Sequence, residues 1–304
     1  NGINKDLNWY YGPTDYKVLD DYDRNLDEIV PLGWGIFGYI NKYLFIPYFS
    51  ILSDFIGNYG IAIILMTISI RLILSPVTYK SYLSQAKMKV LRPQIDAINK
   101  KHGDNKMKSQ QETMKLYNQT GVSPLSGCIP ALLQMPIFVA LFRFFPSAFE
   151  LRQKSFWWAD DLSSYDSIAQ LPFYIPFYGD HVSLFPILAS VAIFFYMMMT
   201  TGQNAQPTQP GMPNMKVIMY ISPVVMLVFF NNYASGLSLY YFISNLITIG
   251  IMLVIKNYII DNDKILAKIE EKKKKPKKKG KFASKMQKMM EQAEEQKKLK
   301  DKKK

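Results

Sequence analysis

The sequence predicts an all-α integral membrane protein: five transmembrane helices with a polar face, an interfacial amphipathic helix and a cytosolic helical hairpin. Three observations predict it. Apolar stretches of roughly 20 residues, the length that crosses a bilayer core, alternate with lysine-rich stretches, so the mean hydropathy of -0.04 averages two unlike kinds of segment. The basic residues are concentrated in two places, Lys80–Lys115 and the tail from Lys256 onward. Polar side chains, one of them Arg71, recur at helical spacing inside the apolar runs.

Residues 1–31 are polar and turn-rich, with Tyr10-Tyr11-Gly12-Pro13 and the acids Asp20, Asp21, Asp23, Asp27 and Glu28. They read as the end of a soluble domain and a linker. The opening residues carry no signal-peptide pattern, and the chain is expected to be the C-terminal part of a longer protein. Residues 32–58 are apolar and aromatic but include Asn41, Lys42, Pro47 and Asp54. That mixture suits a helix lying in the membrane interface, where Trp34, Tyr39, Tyr43 and Tyr48 are at home; a spanning helix is the rival reading. Residues 59–80 form the first span. Residues 81–120 read as a helical hairpin broken at His102-Gly103-Asp104-Asn105. In its first arm Met88, Leu91, Ile95 and Ile98 repeat at spacings of three and four, one face of an amphipathic helix; Met107, Met114 and Tyr117 continue a weaker stripe in the second. Residues 124–148 form a span with Pro130 and Pro136, tolerated where neighbours satisfy the freed carbonyls. A loop at 149–183 carries Asp160, Asp161, Asp166 and Asp180. Three spans follow, 184–201, 216–232 and 236–258, the first two short. A Gln/Pro-rich loop at 202–215 and a tight turn near Asn231–Gly236 join them.

Charge orients the chain. Nine basic residues lie between Lys80 and Lys115, two in the 151–182 loop, and none in the 231–236 turn. The tail from Lys256 holds nineteen basic and eight acidic residues. Positive residues stay on the cytoplasmic side, which places the hairpin and the C-terminus in the cytoplasm of a multi-pass membrane protein. Five spans satisfy this parity. A sixth, at 32–58, would leave a cytoplasmic segment with only Lys5, Lys17 and Arg24.

Several function classes lose their parts. The single Cys128 sits in an apolar run and reads as a packing residue. His102 and His181 are the only histidines, which leaves no metal site, and no cofactor is expected. Proton-coupled transport usually needs intramembrane Asp, Glu or His, and the five spans contain none. Ser75 and Ser222 have no histidine in the spans to activate them, so the chain is not expected to be an enzyme. Met197–Met199 read as apolar filling.

Arg71 is the most informative residue. A central arginine costs roughly 2.5–3.5 kcal/mol on insertion scales and should face a bundle interior or a water-filled cavity. Thr67, Ser75 and Thr78 share its helix face. Ser238, Tyr241, Asn245 and Thr248 make a similar stripe on the last span, with Ser244 beside it, and Gln134 lies between the two prolines of the second. One reading is a hydrophilic groove. The other is interhelical hydrogen bonding that only holds the bundle together. The tail carries KKKKPKKKGK at 272–281 and KKLKDKKK at 297–304, around Phe282, Met286, Met289 and Met290. Contact with ribosomal RNA phosphates, binding to anionic lipid and a solvated tail that only enforces topology all remain open.

The runs Gly60–Thr78 with the arginine and Ser75-Pro76, Gly127-Cys128-Ile129-Pro130 through Gln134-Met135-Pro136-Ile137-Phe138, and Ser235-Gly236-Leu237-Ser238-Leu239-Tyr240-Tyr241 with Ser244-Asn245 resemble the YidC-type membrane protein insertases, relatives of the mitochondrial and chloroplast insertases. The likeness covers about 34–260. It implies a five-helix transmembrane core around a polar groove, open to cytoplasm and lipid and closed to the outside. It implies Arg71 as the groove arginine, with Thr67, Ser75, Gln134, Tyr240, Tyr241, Ser244 and Asn245 as groove residues. It also implies insertion and chaperoning of nascent membrane proteins with lateral release into the lipid bilayer, alone or with the Sec translocon. Tail lysines Lys272, Lys273, Lys274, Lys275, Lys277, Lys278, Lys279 and Lys281 resemble ribosome-docking extensions of some members. Residues 1–31 resemble the end of the periplasmic domain of Gram-negative members, whose first transmembrane helix would then be absent here. A channel or solute transporter lined by the same groups, and a scaffold for folding membrane proteins, are the rival functions.

Overall fold

The computed structural model describes residues 9–22, 24–102, 105–122, 129–201, 215–259, 261, 265–267 and 269–271. Gly127, Cys128, the 202–214 part of the Gln/Pro-rich loop and the basic tail from Lys272 lie outside the described residues. The chain divides into two compact units, Asn1–Pro76 with Pro130–Leu253, and Val77–Ile129 with Val254–Lys304.

The first unit opens with α1 (Tyr16–Asp20), N-capped by Asp15, whose Oδ1 accepts from the amides of Lys17 (2.8 Å) and Val18 (3.3 Å). A 3-10 turn follows at Leu26–Ile29. Leu19 and Val30 are buried, and Lys17 Nζ donates to Ser50 Oγ and, at 2.9 Å, to Glu150. Two of the acids that mark the segment in the sequence share a partner: Lys42 Nζ lies 3.3 Å from Asp27 and 3.5 Å from Asp20. Hydrogen bonding to Tyr16 and Asp27 raises the Lys42 pKa above the usual lysine value.

Next come α2 (Ile36–Ile40), a π turn (Asn41–Phe45) and α3 (Ile46–Ile56), stopped at Gly57 with φ +70°. Pro47 brings no amide to the first turn of α3, and the widened turn lies just before it. Asn41, Phe45, Phe49 and Ser53 face inward at steps of four. Asn41 Nδ2 donates to the carbonyls of Leu32 (2.6 Å) and Ala140 (2.8 Å), and Tyr48 donates to Ser69 Oγ at 2.7 Å. Trp34, Tyr39, Tyr43 and Phe55 stay exposed.

Then α4 runs from Tyr59 to Lys101 without a break at Lys80. Its 43 residues extend about 65 Å at 1.5 Å per residue, roughly twice a hydrocarbon core. The expected span and the first arm of the hairpin are therefore one helix. Nothing between them caps or turns the backbone, and Pro76, where the units divide, removes one amide without ending the helix.

The remaining helices of the first unit are α6 (Ile129–Ser147), α7 (Leu184–Thr201), α8 (Met215–Phe230) and α9 (Ser235–Val254). A π turn at Ile255–Ile259 extends α9. Tyr59–Lys101 and Ser235–Tyr258 are long and apolar enough to cross a membrane; Leu132–Ser147, Leu184–Thr200 and Tyr220–Phe230 are shorter apolar helices.

The segment between α6 and α7 departs from the all-α expectation. It holds an antiparallel hairpin, β1 (Ala169–Ile175) with β2 (Gly179–Val182). Pro172 and Pro176 disguise it in the sequence, since prolines demote a strand pattern. Pro172 is accommodated because β1 pairs on one side only, and Pro176 falls in the turn. Asp166 then starts α7: its Oδ2 accepts from the amides of Leu184 (2.7 Å) and Phe185 (3.0 Å) and from Trp158 Nε1 (2.9 Å).

The second unit is the far half of α4, α5 (Lys106–Thr120) and helical residues near 265–271. Asn105 caps α5 through Lys108 N at 3.1 Å, and Gly121 ends it at φ +66°. Leu91 and Ile95 of the predicted stripe pack with Leu116, Tyr117, Val122, Ile265 and Ile269, flanked by Met88 and Ile98.

Candidate functional site

Apolar packing in the first unit is confined to one end. On the first-unit part of α4, up to Pro76, the buried apolar residues are Ala62, Ile63 and Met66; on α6 they begin at Ala140; on α7 they end at Ala192. Phe230 ends α8, and α9 buries Leu237, Leu239, Tyr240 and Tyr241, with Met252 beyond. The starts of α4, α7 and α9 thus meet the ends of α6 and α8 in one aromatic-rich core with Phe45, Phe49, Phe144, Phe145 and Phe185.

Polar groups collect where that packing stops. Arg71 lies five residues past Met66 and is half-buried. Its Nε donates to Ser244 Oγ at 2.5 Å, and its Nη2 reaches the same oxygen. Among the described residues no carboxylate lies within ion-pair distance of it. Tyr240 and Tyr241, one and nearly one turn before Ser244, are buried close to Arg71 and to Gln134 of α6. Gln134 Nε2, Ser238 Oγ, Tyr240 OH, Tyr241 OH and Asn245 Nδ2 are all buried with no hydrogen-bond partner in good geometry. Leaving such a group unmade costs about 1–3 kcal/mol. Gln134 is within hydrogen-bonding reach of both tyrosine hydroxyls and Ser244 of Tyr240, so part of the set can pair internally; the remainder calls for water or a polar guest.

The predicted residues do not all serve alike. Arg71, Gln134, Tyr240, Tyr241 and Ser244 come together. Asn245 is buried beside Ser244 on α9. Thr67 is buried, but its hydroxyl donates to Ile63 O at 2.7 Å within its own helix, as Thr248 does to Ser244 O; Thr67 is wall, not donor. Ser75 is half-buried one turn beyond Arg71. The tail lysines Lys272–Lys281 lie outside the described residues.

Two features were not read from the sequence. Ser190 of α7 buries a partnerless hydroxyl, a lone serine with no stripe to announce it. An apolar cavity of about 390 Å³ lies between α6 and α8, lined by Phe138, Val217, Ile221, Ser222, Val225, Met226, Phe229 and Phe230. Phe138 and Phe230 also contact the Tyr241 ring, at centroid distances of 5.6 and 5.5 Å, so the cavity adjoins the polar cluster. In sequence its lining looks like an ordinary lipid-facing helix.

Residues 51–263 match the family described as the 60Kd inner membrane protein. The chain is 50% identical over 285 residues to the membrane protein insertase YidC of Parabacteroides distasonis, covering 88% of this chain and 44% of that protein. It is 46% identical over 277 residues to the YidC of Bacteroides fragilis, with 88% and 45% covered. Among solved structures it is similar to an active YidC insertase with its first transmembrane domain resolved, at a TM-score of 0.52 and 28% identity over 82% of this chain and 54% of that one. The chain spans about half the length of the curated relatives it matches. It belongs to the 60Kd inner membrane protein family, the YidC-type insertases of the bacterial inner membrane.

Proposed function

We propose that this chain inserts newly made membrane proteins through a wet groove around Arg71 and releases their apolar segments sideways into lipid. In this reading α4, α6, α7, α8 and α9 are the five spans. The basic α4–α5 arm and the C-terminus are cytoplasmic, the 149–183 segment is outside, and α2–α3 lies in the outer interface. The observation that carries the proposal is the Arg71 guanidinium held on Ser244 among partnerless buried polar groups, beside an apolar cavity.

The physics follows from that arrangement. A polar flank cannot cross hydrocarbon with its backbone unsatisfied. The orphaned groups of Gln134, Tyr240, Tyr241 and Asn245 give it hydrogen-bond partners part of the way. Arg71 attracts acidic groups on the flank, and the membrane potential adds about 2.3 kcal/mol per charge per 100 mV to their outward movement. The α6–α8 cavity takes the apolar segment. The 18 residues of α7 and 16 of α8 extend only about 27 and 24 Å, short of a core of about 30 Å, so the bilayer thins beside them. The packed aromatic end supports an insertase over a channel, which needs a path open at both ends. The reading involves no covalent chemistry and no cofactor. Nascent chains are the substrates; the Sec translocon and the ribosome are further partners in this scheme.

The test is protease protection of a short-tailed single-span substrate offered to liposomes with and without the purified chain. A protected fragment only in its presence supports insertion. Solute flux without protection would turn the reading toward a channel.

A further inference from the structure

We propose that the β1–β2 hairpin is a membrane anchor whose aromatic edge lies in the headgroup–acyl boundary of the outer leaflet. The proposal rests on the reading of the apolar helices as spans.

The hairpin lies across helix ends. Its turn and its base are both bonded to the turn between α8 and α9. Asn231 Nδ2 donates to Tyr178 O (2.8 Å) and His181 O (2.9 Å), while Asn231 Oδ1 accepts from Ser183 N (3.0 Å) at the start of α7. Asn232 Nδ2 donates to Tyr178 O at 2.7 Å. His181 Nε2 donates to Asn231 O at 2.9 Å, under a Tyr165 ring stacked at 3.9 Å. Both ends of β2 are therefore held at the level where three apolar helices begin or end, which is where interfacial aromatics sit.

The outer strand has no internal reason for its composition. Residues 172–177 read Pro-Phe-Tyr-Ile-Pro-Phe, all exposed, and the run from Ala169 to Phe177 carries no charge. The turn is closed by Tyr178 N to Ile175 O at 3.1 Å, with Pro176 and then Phe177 at φ +69°. Glycine normally takes that second position, and an L side chain there is strained. Phe177 nevertheless projects its ring outward, 87% exposed. Backbone strain that displays an aromatic ring points to a partner for the ring.

The chemistry favours lipid over protein as that partner. Pro172 within β1 and Pro176 in the turn bring no amides, which disfavours addition of another strand. The acid of β2, Asp180, is 71% exposed and lies 3.4 Å from His181 Nδ1, while the aromatic strand itself carries no charge. The hairpin is tied to the end of α8, a helix that itself exposes Val224 and Phe229.

The test uses the full chain in proteoliposomes of phosphatidylethanolamine and phosphatidylglycerol. Cys128→Ser makes it cysteine-free, and single cysteines at Phe177, Tyr174, Asp180 and Val224 carry an environment-sensitive fluorophore. The expected result is quenching at 177 and 174 by lipids with a nitroxide near the headgroup, with iodide quenching several-fold weaker there than at 180. The label at 224, mid-way along α8, should answer only to deeper nitroxides. The second hairpin position guards against a disturbed turn at 177. Iodide quenching at 174 and 177 equal to that at 180 overturns the anchor. So does shielding from both quenchers, which would mean that protein covers the hairpin. Absence of lipid quenching at 224 would instead overturn the spanning reading beneath it.

Discussion

Replacing Arg71 by alanine removes the one charge in a cluster otherwise built of hydroxyls and amides. At 4 Å a carboxylate and a guanidinium attract by about 1 kcal/mol in water and about 4 kcal/mol at an effective dielectric of 20. Arg71 is half-buried beside groups that call for water, so the lower end of that range applies. Since 1.4 kcal/mol is tenfold, Arg71→Ala should slow insertion of an acid-flanked substrate about fivefold to tenfold. A neutral-flanked substrate should lose little. Arg71→Lys keeps the charge but gives up the fork on Ser244, and should retain most activity. Ser244→Ala frees the guanidinium without removing it and should fall between wild type and Arg71→Ala. The assay is protease protection in proteoliposomes with paired substrates that differ only in flank charge. Arg71→Ala also removes the hydrogen bonds to Ser244, so its melting in detergent is compared with that of Ser244→Ala, which loses the same bonds. Equal losses for acidic and neutral flanks, or a lysine variant as poor as alanine, would refute the charge argument.

Three further outcomes are expected. Gly236→Ala places a Cβ 2.9 Å from Leu162 O and from Phe145 Cδ1, where α9 enters the core; overpacking of about 1–3 kcal/mol should lower the melting temperature in detergent. Asp166→Ala takes the acceptor from two α7 amides and the Trp158 indole; at about 1–3 kcal/mol for each unmade buried bond, it should destabilise the protein more than Asp166→Asn does, as read by thermal melting and near-UV dichroism. Deleting 264–304 should reduce ribosome co-sedimentation more than post-translational insertion, and unchanged co-sedimentation would remove the docking role of the lysine clusters.

Much of the bundle was legible from residues because helical periodicity is local. Leu91 and Ile95 had to share a face with Met88 and Ile98 whatever they met, and they now form one small core. An arginine in a run as apolar as Gly60–Thr78 had to find polar company for the same reason. Its partner could not be read, because Ser244 lies 173 residues away and nothing in spacing selects it over Ser238 or Thr248. Only packing decided that the Thr67 hydroxyl turns to its own helix while Gln134 faces two tyrosines. The 149–183 segment was legible as a loop but not as a hairpin: its prolines argue against strands locally. The structure accommodates them in a strand paired on one side and in the turn that follows it, and Asn231 and Asn232 satisfy carbonyls that no local rule assigns to them. Composition and period thus determined which segments are helices and which faces carry polarity. Tertiary structure decided which polar groups meet, because hydrogen bonds between distant helices depend on how the chain packs and not on its order.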